Sequence, residues 1–396
     1  MRIATLQFAA KLGDVDGNIR KANELLKTGK VSSLDGTVGL HKKGSRIDVE
    51  VLRPDLLVLP EMALTGYNFP SLEEIRPYLE PSGKGPSAAW ALETAKRLQC
   101  KVCVGYPEIE TSSEEGVKSK YYNSLLVVDE HGNVVHNYRK NFLYYTDETW
   151  ATEGDVKRGF HELSFPSRKG RIASATMTDL VGDTHRDTDA GAGASANKPD
   201  SDAVKNQAGK RVATSFGICM DINPYKFEAP YSDYEFANRV LNSKSQLVII
   251  PMAWLTLASR EELDMLDGEP EMDTFRYWLM RMIPLLTQKM QQESNIDDAD
   301  PGGEREGQDT DTKKVVIVFA NRTGEEPAAD DTKPPARYAG TSTIVTIIQQ
   351  GSQAPEVENA KILCWDLLGA TEEGICFADI TADPKMVFGL GKKGDE

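Results

Sequence analysis

Apolar residues in this chain fall into short strand-like runs separated by amphipathic stretches. Residues 3–8 form the first run, and residues 14–27 follow with Ile19, Ala22, Leu25 and Leu26 on one helical face. Residues 55–59 are a continuous apolar run, the pattern of a strand covered on both faces. Residues 85–98 predict a second helix through Ala88, Ala89, Ala91 and Leu92, and residues 101–106 a further strand. Residues 121–128 and 134–138 flank Asp129-Glu130-His131-Gly132-Asn133, whose Gly-Asn pair predicts a hairpin. In the second half, residues 160–165, 211–218, 246–250, 315–320, 342–348 and 374–380 read as strands. Residues 234–243 read as a helix, and 273–290 as a helix interrupted at Pro284 with a core stripe of Met280, Ile283 and Leu286. Strands that alternate with helices and hairpins predict one layered α/β domain over residues 1–396. Polar, Gly-rich tracts without periodicity at about 28–50, 176–210, 293–311 and 325–337 read as insertions in it.

Composition narrows the partners. A content of 40% hydrophobic and 27% charged residues fits a globular core, and the formal charge of −15 repels nucleic acid and anionic membranes. No run approaches the ~20 apolar residues of a membrane span, and residues 1–8 do not read as a signal peptide. Five scattered cysteines make no disulfide framework, so reduced thiols in the cytoplasm or nucleus are expected. Cys100 and Cys103 are spaced C-x-x-C, but with no second pair and no spaced histidines the expectation is a structural role, no metal and no cofactor. Asn321-Arg322-Thr323 matches a glycosylation acceptor, which a chain without a secretory signal does not use. Nothing in the pattern decides between a monomer and a homodimer.

The candidate chemistry sits at three strand ends. Residues 211–218 deliver Cys219 into the polar turn Asp221-Ile222-Asn223-Pro224, the arrangement that holds a nucleophile out of the core. Residues 55–59 end in Pro60-Glu61, and residues 134–138 lead through Arg139 to Lys140. Taken singly, Cys219 reads as a buried small hydrophobe, Glu61 as a turn carboxylate and Lys140 as a solvated charge. Taken together they make a catalytic set. Glu61 would take the thiol proton and return it to a departing amine, while Lys140 and the Met220 N–H would hold the oxyanion of acyl transfer through a thioester.

Leu59-Pro60-Glu61-Met62-Ala63-Leu64-Thr65-Gly66-Tyr67, Tyr138-Arg139-Lys140 and Gly217-Ile218-Cys219-Met220-Asp221 resemble the three signature blocks of the nitrilase (carbon–nitrogen hydrolase) superfamily, in the family's order. The resemblance implies a four-layer αββα sandwich and the roles of base, oxyanion stabiliser and nucleophile for Glu61, Lys140 and Cys219. It also implies a second glutamate that bonds the lysine and orients substrate; Glu148 is the candidate, with Asp147 as rival. The segments 144–148, 223–230 and 251–254 look most like the fungal protein N-terminal amidases, a branch that converts N-terminal Asn or Gln of proteins and peptides to Asp or Glu within an N-degron pathway. Tyr67, Asp221, Asn223 and Trp254 flank the strand ends and are expected to shape the substrate pocket, although an Asp just after a strand also commonly bonds local backbone. Two other readings stay open: a small-molecule amidase or carbamoyl-amide hydrolase on the same scaffold, and a catalytically silent binder of peptide N-termini.

Overall fold

The computed structural model describes residues 1–31, 45–111, 118–166, 209–291, 312–328, 332–350 and 360–389. Two sheets carry the fold. The first runs Ser45–Ile47, Gly29–Val31, Gly374–Asp379, Arg2–Gln7, Leu56–Val58, Lys101–Glu110, Lys120–Val128, Val134–Arg139, with Glu80–Pro81 beside Lys101–Glu110. The second runs Met386–Gly389, Ala360–Leu367, Thr343–Gln349, Lys313–Ala320, Leu247–Pro251, Lys210–Phe216, Phe160–Phe165. Both are mixed: Arg2–Gln7 pairs parallel to Leu56–Val58 and antiparallel to Gly374–Asp379.

Strand alternation builds the layers, because successive side chains point to opposite faces. Ile3, Leu56, Val58, Leu125 and Val127 enter the core between the sheets, where they meet Val212, Phe216, Ile249, Val316 and Val318. Ala4, Leu6, Leu57, Leu126 and Val128 face the other way, into a core capped by Ala22 and Leu26 of helix Val15–Thr28 and Ala91 and Ala95 of helix Pro86–Leu98. Phe236, Phe275 and Trp278, from helices Glu235–Asn242 and Met272–Met280, cover the outer side of the second sheet. The result is the expected helix, sheet, sheet, helix sandwich.

Several expectations need correction. Residues 28–50 are not all surface loop: Gly29–Val31 and Ser45–Ile47 pair antiparallel, helix Val49–Leu52 follows, and Val31, Ile47, Val49 and Leu52 are buried. The helix read over 273–290 breaks before Pro284 as expected, into Met272–Met280 and Pro284–Thr287, but Met280 of the expected core stripe is exposed, and Met282 and Leu285 are buried beside Leu286 instead. The tract 325–337 closes a two-stranded hairpin, Glu325–Glu326 with Ala336–Arg337, and Glu326 is buried. Strands Ala360–Leu367 and Met386–Gly389 and helix Arg260–Met265 went unrecognised in the pattern. Residues 176–208 and 293–311 lie outside the described residues. No helix among the described residues is long and apolar enough to cross a membrane.

One glycine sets the distance between two layers of the site. A Cβ on Gly105 would lie 2.7 Å from Met62 N, 2.8 Å from Pro60 O and 2.9 Å from Glu61 Cα, all within the backbone of the Glu61 corner. Backbone cannot swing aside as a side chain can. Gly105→Ala is therefore expected to lower stability by about 1–3 kcal/mol, read as a drop in urea midpoint, and to cut activity beyond that loss by displacing Glu61.

Candidate active site

Three strand ends of the sandwich converge on one buried cluster. Pro60 stops the Leu56–Val58 run, and the Glu61 backbone is caught at once by Met252, its N–H donating to that carbonyl at 3.3 Å. Lys140 follows strand Val134–Arg139, with its N–H on Asn123 O at 2.8 Å. Cys219 opens the turn Cys219–Ile222 after strand Lys210–Phe216 and has φ of 43°, the strained left-handed backbone that strand-to-helix nucleophile turns share. Gly217 permits that turn to close on the helix behind it, since a Cβ there would meet Phe236 Cε2 at 2.4 Å.

Lys140 is the centre. Its Nζ donates to Glu61 Oε1 at 2.7 Å and to Asp147 Oδ2 at 2.6 Å, and all three side chains are fully buried. Asn123 Nδ2 bridges the same two carboxylates, at 2.7 Å to Glu61 Oε1 and 2.9 Å to Asp147 Oδ1. The Ala253 N–H donates to Glu61 Oε2 at 2.8 Å. An ammonium has three donors, and these two carboxylates take two of them. Tyr67 places its OH 3.2 Å from Asp147 Oδ2 and its ring centroid 5.6 Å from the Lys140 Nζ.

Burial next to two carboxylates decides the protonation states. Burial would depress Lys140, but Asp147 and Glu61 together outweigh it and hold the ammonium charged well above the ordinary range. Burial pushes the Glu61 carboxyl up, Lys140 pulls it down, and Asp147 adds a further push upward. The Cys219 thiol is driven well above its usual value, first by burial and then by Glu61, against the pull of Lys140 and of the Ala253 N–H. Burial and Glu61 thus favour the neutral thiol, while the two carboxylates favour the charged ammonium.

The structure brings Glu61, Lys140, Cys219 and Tyr67 together, sets Met220 in the nucleophile turn and leaves Trp254 half-buried against Tyr277 and Trp278. It corrects three expectations. The lysine's second carboxylate is Asp147, while Glu148, the next residue of the same short 3₁₀ turn, points to solvent. Asp221 is not a pocket residue: Oδ2 accepts from Tyr138 OH at 2.8 Å and Ile218 N at 2.7 Å, and Oδ1 from Asn141 N at 3.1 Å and Phe142 N at 2.7 Å. Its carboxylate clamps the nucleophile turn to the lysine strand. Asn223 is engaged within the fold as well, through Met220 Sδ at 3.2 Å and Tyr277 OH at 2.7 Å. Asn321, of the apparent glycosylation pattern, is buried and braces Trp254 N and Gly340 O. Among the described residues no group of His, Cys, Asp and Glu is arranged to hold a metal.

Sequence reasoning missed Asn123, although a polar pair, Asn123-Ser124, inside the apolar strand Lys120–Val128 was a usable signal. It also missed Glu326. This buried carboxylate accepts from Tyr67 N at 3.1 Å, Asn68 N at 2.8 Å, Tyr338 OH at 2.5 Å and Arg322 Nη2 at 2.5 Å, and so fixes the backbone from which Tyr67 reaches Asp147.

Comparison with known proteins came to the same architecture. The carbon–nitrogen hydrolase family model matches residues 2–191. The chain is 27% identical over 394 residues to the protein N-terminal amidase of Schizosaccharomyces pombe, covering 96% of this chain and 99% of that one. It is 30% identical over 259 residues to the protein N-terminal amidase of Saccharomyces cerevisiae, covering 65% of this chain, and spans only 46% of that relative's length. Crystal structures of an N-terminal amidase with Gln-Gly and with Asn-Glu-Ala peptides superpose with a TM-score of 0.62 at 21% identity, covering 95% and 99% of this chain and 96% and 99% of theirs. At that identity the superposition speaks to a shared fold.

Two experiments probe the cluster. Lys140→Met strands two buried carboxylates and should cost about 3–5 kcal/mol in urea unfolding, with part regained when Asp147→Asn is added. If Glu326 acts through Tyr67, Glu326→Gln and Tyr67→Phe each lower kcat, and the double variant falls well short of the summed losses, by about 1 kcal/mol or more in a double-mutant cycle.

Proposed function

We propose that this chain, which belongs to the carbon–nitrogen hydrolase family, hydrolyses the side-chain amide of N-terminal Asn or Gln in proteins and peptides, releasing ammonia and leaving Asp or Glu. The observation that carries the reading is the fully buried Glu61–Lys140 pair at the mouth of the Cys219 turn. Support for the substrate comes from the N-terminal amidase relative matched along nearly its whole length and from the peptide-bound neighbours of like fold.

In this mechanism Cys219 Sγ attacks the amide carbon as Glu61 takes the thiol proton. The carbonyl oxygen becomes an oxyanion, held by the Lys140 ammonium and by the Met220 N–H, which lies in a first helical turn whose leading N–H groups have no intrahelical partner. Collapse breaks the C–N bond, and the departing nitrogen leaves as ammonia with the proton that Glu61 returns. Water then loses a proton to Glu61 and attacks the thioester, and the carboxylic acid departs as the thiol is restored. Asp147 and Asn123 are positioning residues: they hold Lys140 and Glu61 in register and touch no substrate atom. A substrate with a free α-ammonium is drawn toward a protein of net charge −15.

Ammonia release from peptides beginning with Asn, Gln and acetyl-Asn tests the assignment. Turnover is expected for the free-amine peptides, with loss for acetyl-Asn and for Cys219→Ala; equal turnover of acetyl-Asn or of simple amides returns the protein to the general amidases. The pH profile is a second check. Glu61 must be ionised to accept the thiol proton, and burial holds its carboxyl above the ordinary glutamate range. Activity in kcat/KM should therefore fall, as pH is lowered, at a pH above the usual glutamate range. Asp147→Asn removes one of the groups that raise Glu61, and its residual activity should show that acid limb moved to lower pH.

A further inference from the structure

The catalytic cluster borders an aromatic surface that the reaction above does not use. Tyr144 is its inner edge: the N–H of this residue donates to Asp147 Oδ2 at 3.0 Å, and its phenol lies within electrostatic range of Cys219. Rings continue outward from there, Tyr145 at 5.1 Å and Phe227 at 6.3 Å from Tyr144. Alongside, Phe142 packs on Tyr225 at 5.0 Å. These are exposed aromatics, with Tyr145 61%, Phe227 46% and Tyr225 37% accessible. Lys226 and Phe227 have φ of 54° and 56°, so two successive non-glycine residues hold a costly left-handed backbone to present this turn.

Charge is unevenly placed around the shelf. Glu148, Glu153 and Glu228 are exposed and act on the Tyr225 phenol, whose OH donates to Glu153 Oε1 at 2.8 Å. Lys226 lies over one of these rings, with Nζ 5.6 Å from the Tyr225 centroid. An aromatic floor with carboxylates at its edge suits a ligand that brings apolar or cationic side chains.

We infer that this shelf receives the second and third residues of the substrate polypeptide and favours aromatic and basic side chains there. The inference rests on the proposed function. With the first residue's amide at Cys219, which is 8% exposed, the following main chain has to run outward past Tyr144. An extended chain advances about 3.3–3.6 Å per residue, so residues two and three reach about 7 Å beyond the first, a little more than the 5.1–6.3 Å from Tyr144 to the next rings of the shelf.

The test compares kcat/KM for Asn-Lys-Phe-Gly, Asn-Gly-Gly-Gly and Asn-Glu-Gly-Gly amides with that for asparagine amide, which is too short to reach Phe227. The expected order is Lys-Phe, then Gly-Gly, then Glu-Gly, with about tenfold between the extremes. Phe227→Ala and Tyr145→Ala should flatten the order while changing asparagine amide turnover by less than about twofold. Glu153→Gln with Glu228→Gln should remove most of the Lys-over-Glu preference, as should 0.5 M salt. Equal rates for the three peptides, or an order that survives in the variants, overturns the inference. If no peptide is hydrolysed while simple amides are, the proposed function fails; polarisation of the labelled Lys-Phe peptide on Cys219→Ala protein then decides the shelf alone, with binding lost in Phe227→Ala supporting it and no binding overturning it.

Discussion

A single buried ammonium holds the site together. Lys140 lies between Glu61 and Asp147 with no water-exposed surface on any of the three, and two carboxylates at this depth would be intolerable without it. Each partner comes from a different piece of chain: a strand end, a strand end in the same sheet three strands away, and a short turn seven residues on. The lysine is thus structural and chemical at once. The charge that makes two buried carboxylates tolerable also lies within electrostatic range of Cys219, whose thiol burial and Glu61 favour in the protonated form.

Around this centre the fold arranges concentric support. Asn123 ties the two carboxylates, Tyr67 orients Asp147, and Glu326 holds the backbone of Tyr67 from 259 residues away in sequence. Asp221 performs the matching task between the two sheets, because its four donors come from both the nucleophile turn and the lysine strand. Residues of this kind do no chemistry, yet they fix distances to which proton transfer is sensitive.

The strands were legible where apolar runs were continuous, and so were the three residues at their ends, because a Pro-Glu, Arg-Lys or Gly-Ile-Cys corner interrupts such a run abruptly. Three-residue strands such as Gly29–Val31 are too short to display a period. Asp147 and Glu148 are adjacent carboxylates in one turn, and which faces inward depends on the rotation of that turn, a tertiary matter. Asp221 and Asn223 misled for a physical reason: polar groups beside a nucleophile suggest a ligand, but the backbone N–H groups of a buried turn need acceptors just as urgently. Glu326 was hidden in an acidic tract that looked solvated, and only its contacts with nearby Arg322 and distant Tyr67 reveal why a charge belongs there.

The pairing of Arg2–Gln7 with Gly374–Asp379 has a bearing on how the molecule comes into being. On the ribosome Arg2–Gln7 is made long before its neighbour Gly374–Asp379, and Leu56–Val58, which leads to Glu61, can dock only on one side of it meanwhile. Closure of so large a loop is entropically expensive. The first sheet is therefore completed only once Gly374–Asp379 is available, and a nascent chain short of residue 374 carries Glu61, Lys140 and Cys219 without a completed sheet to hold them in place.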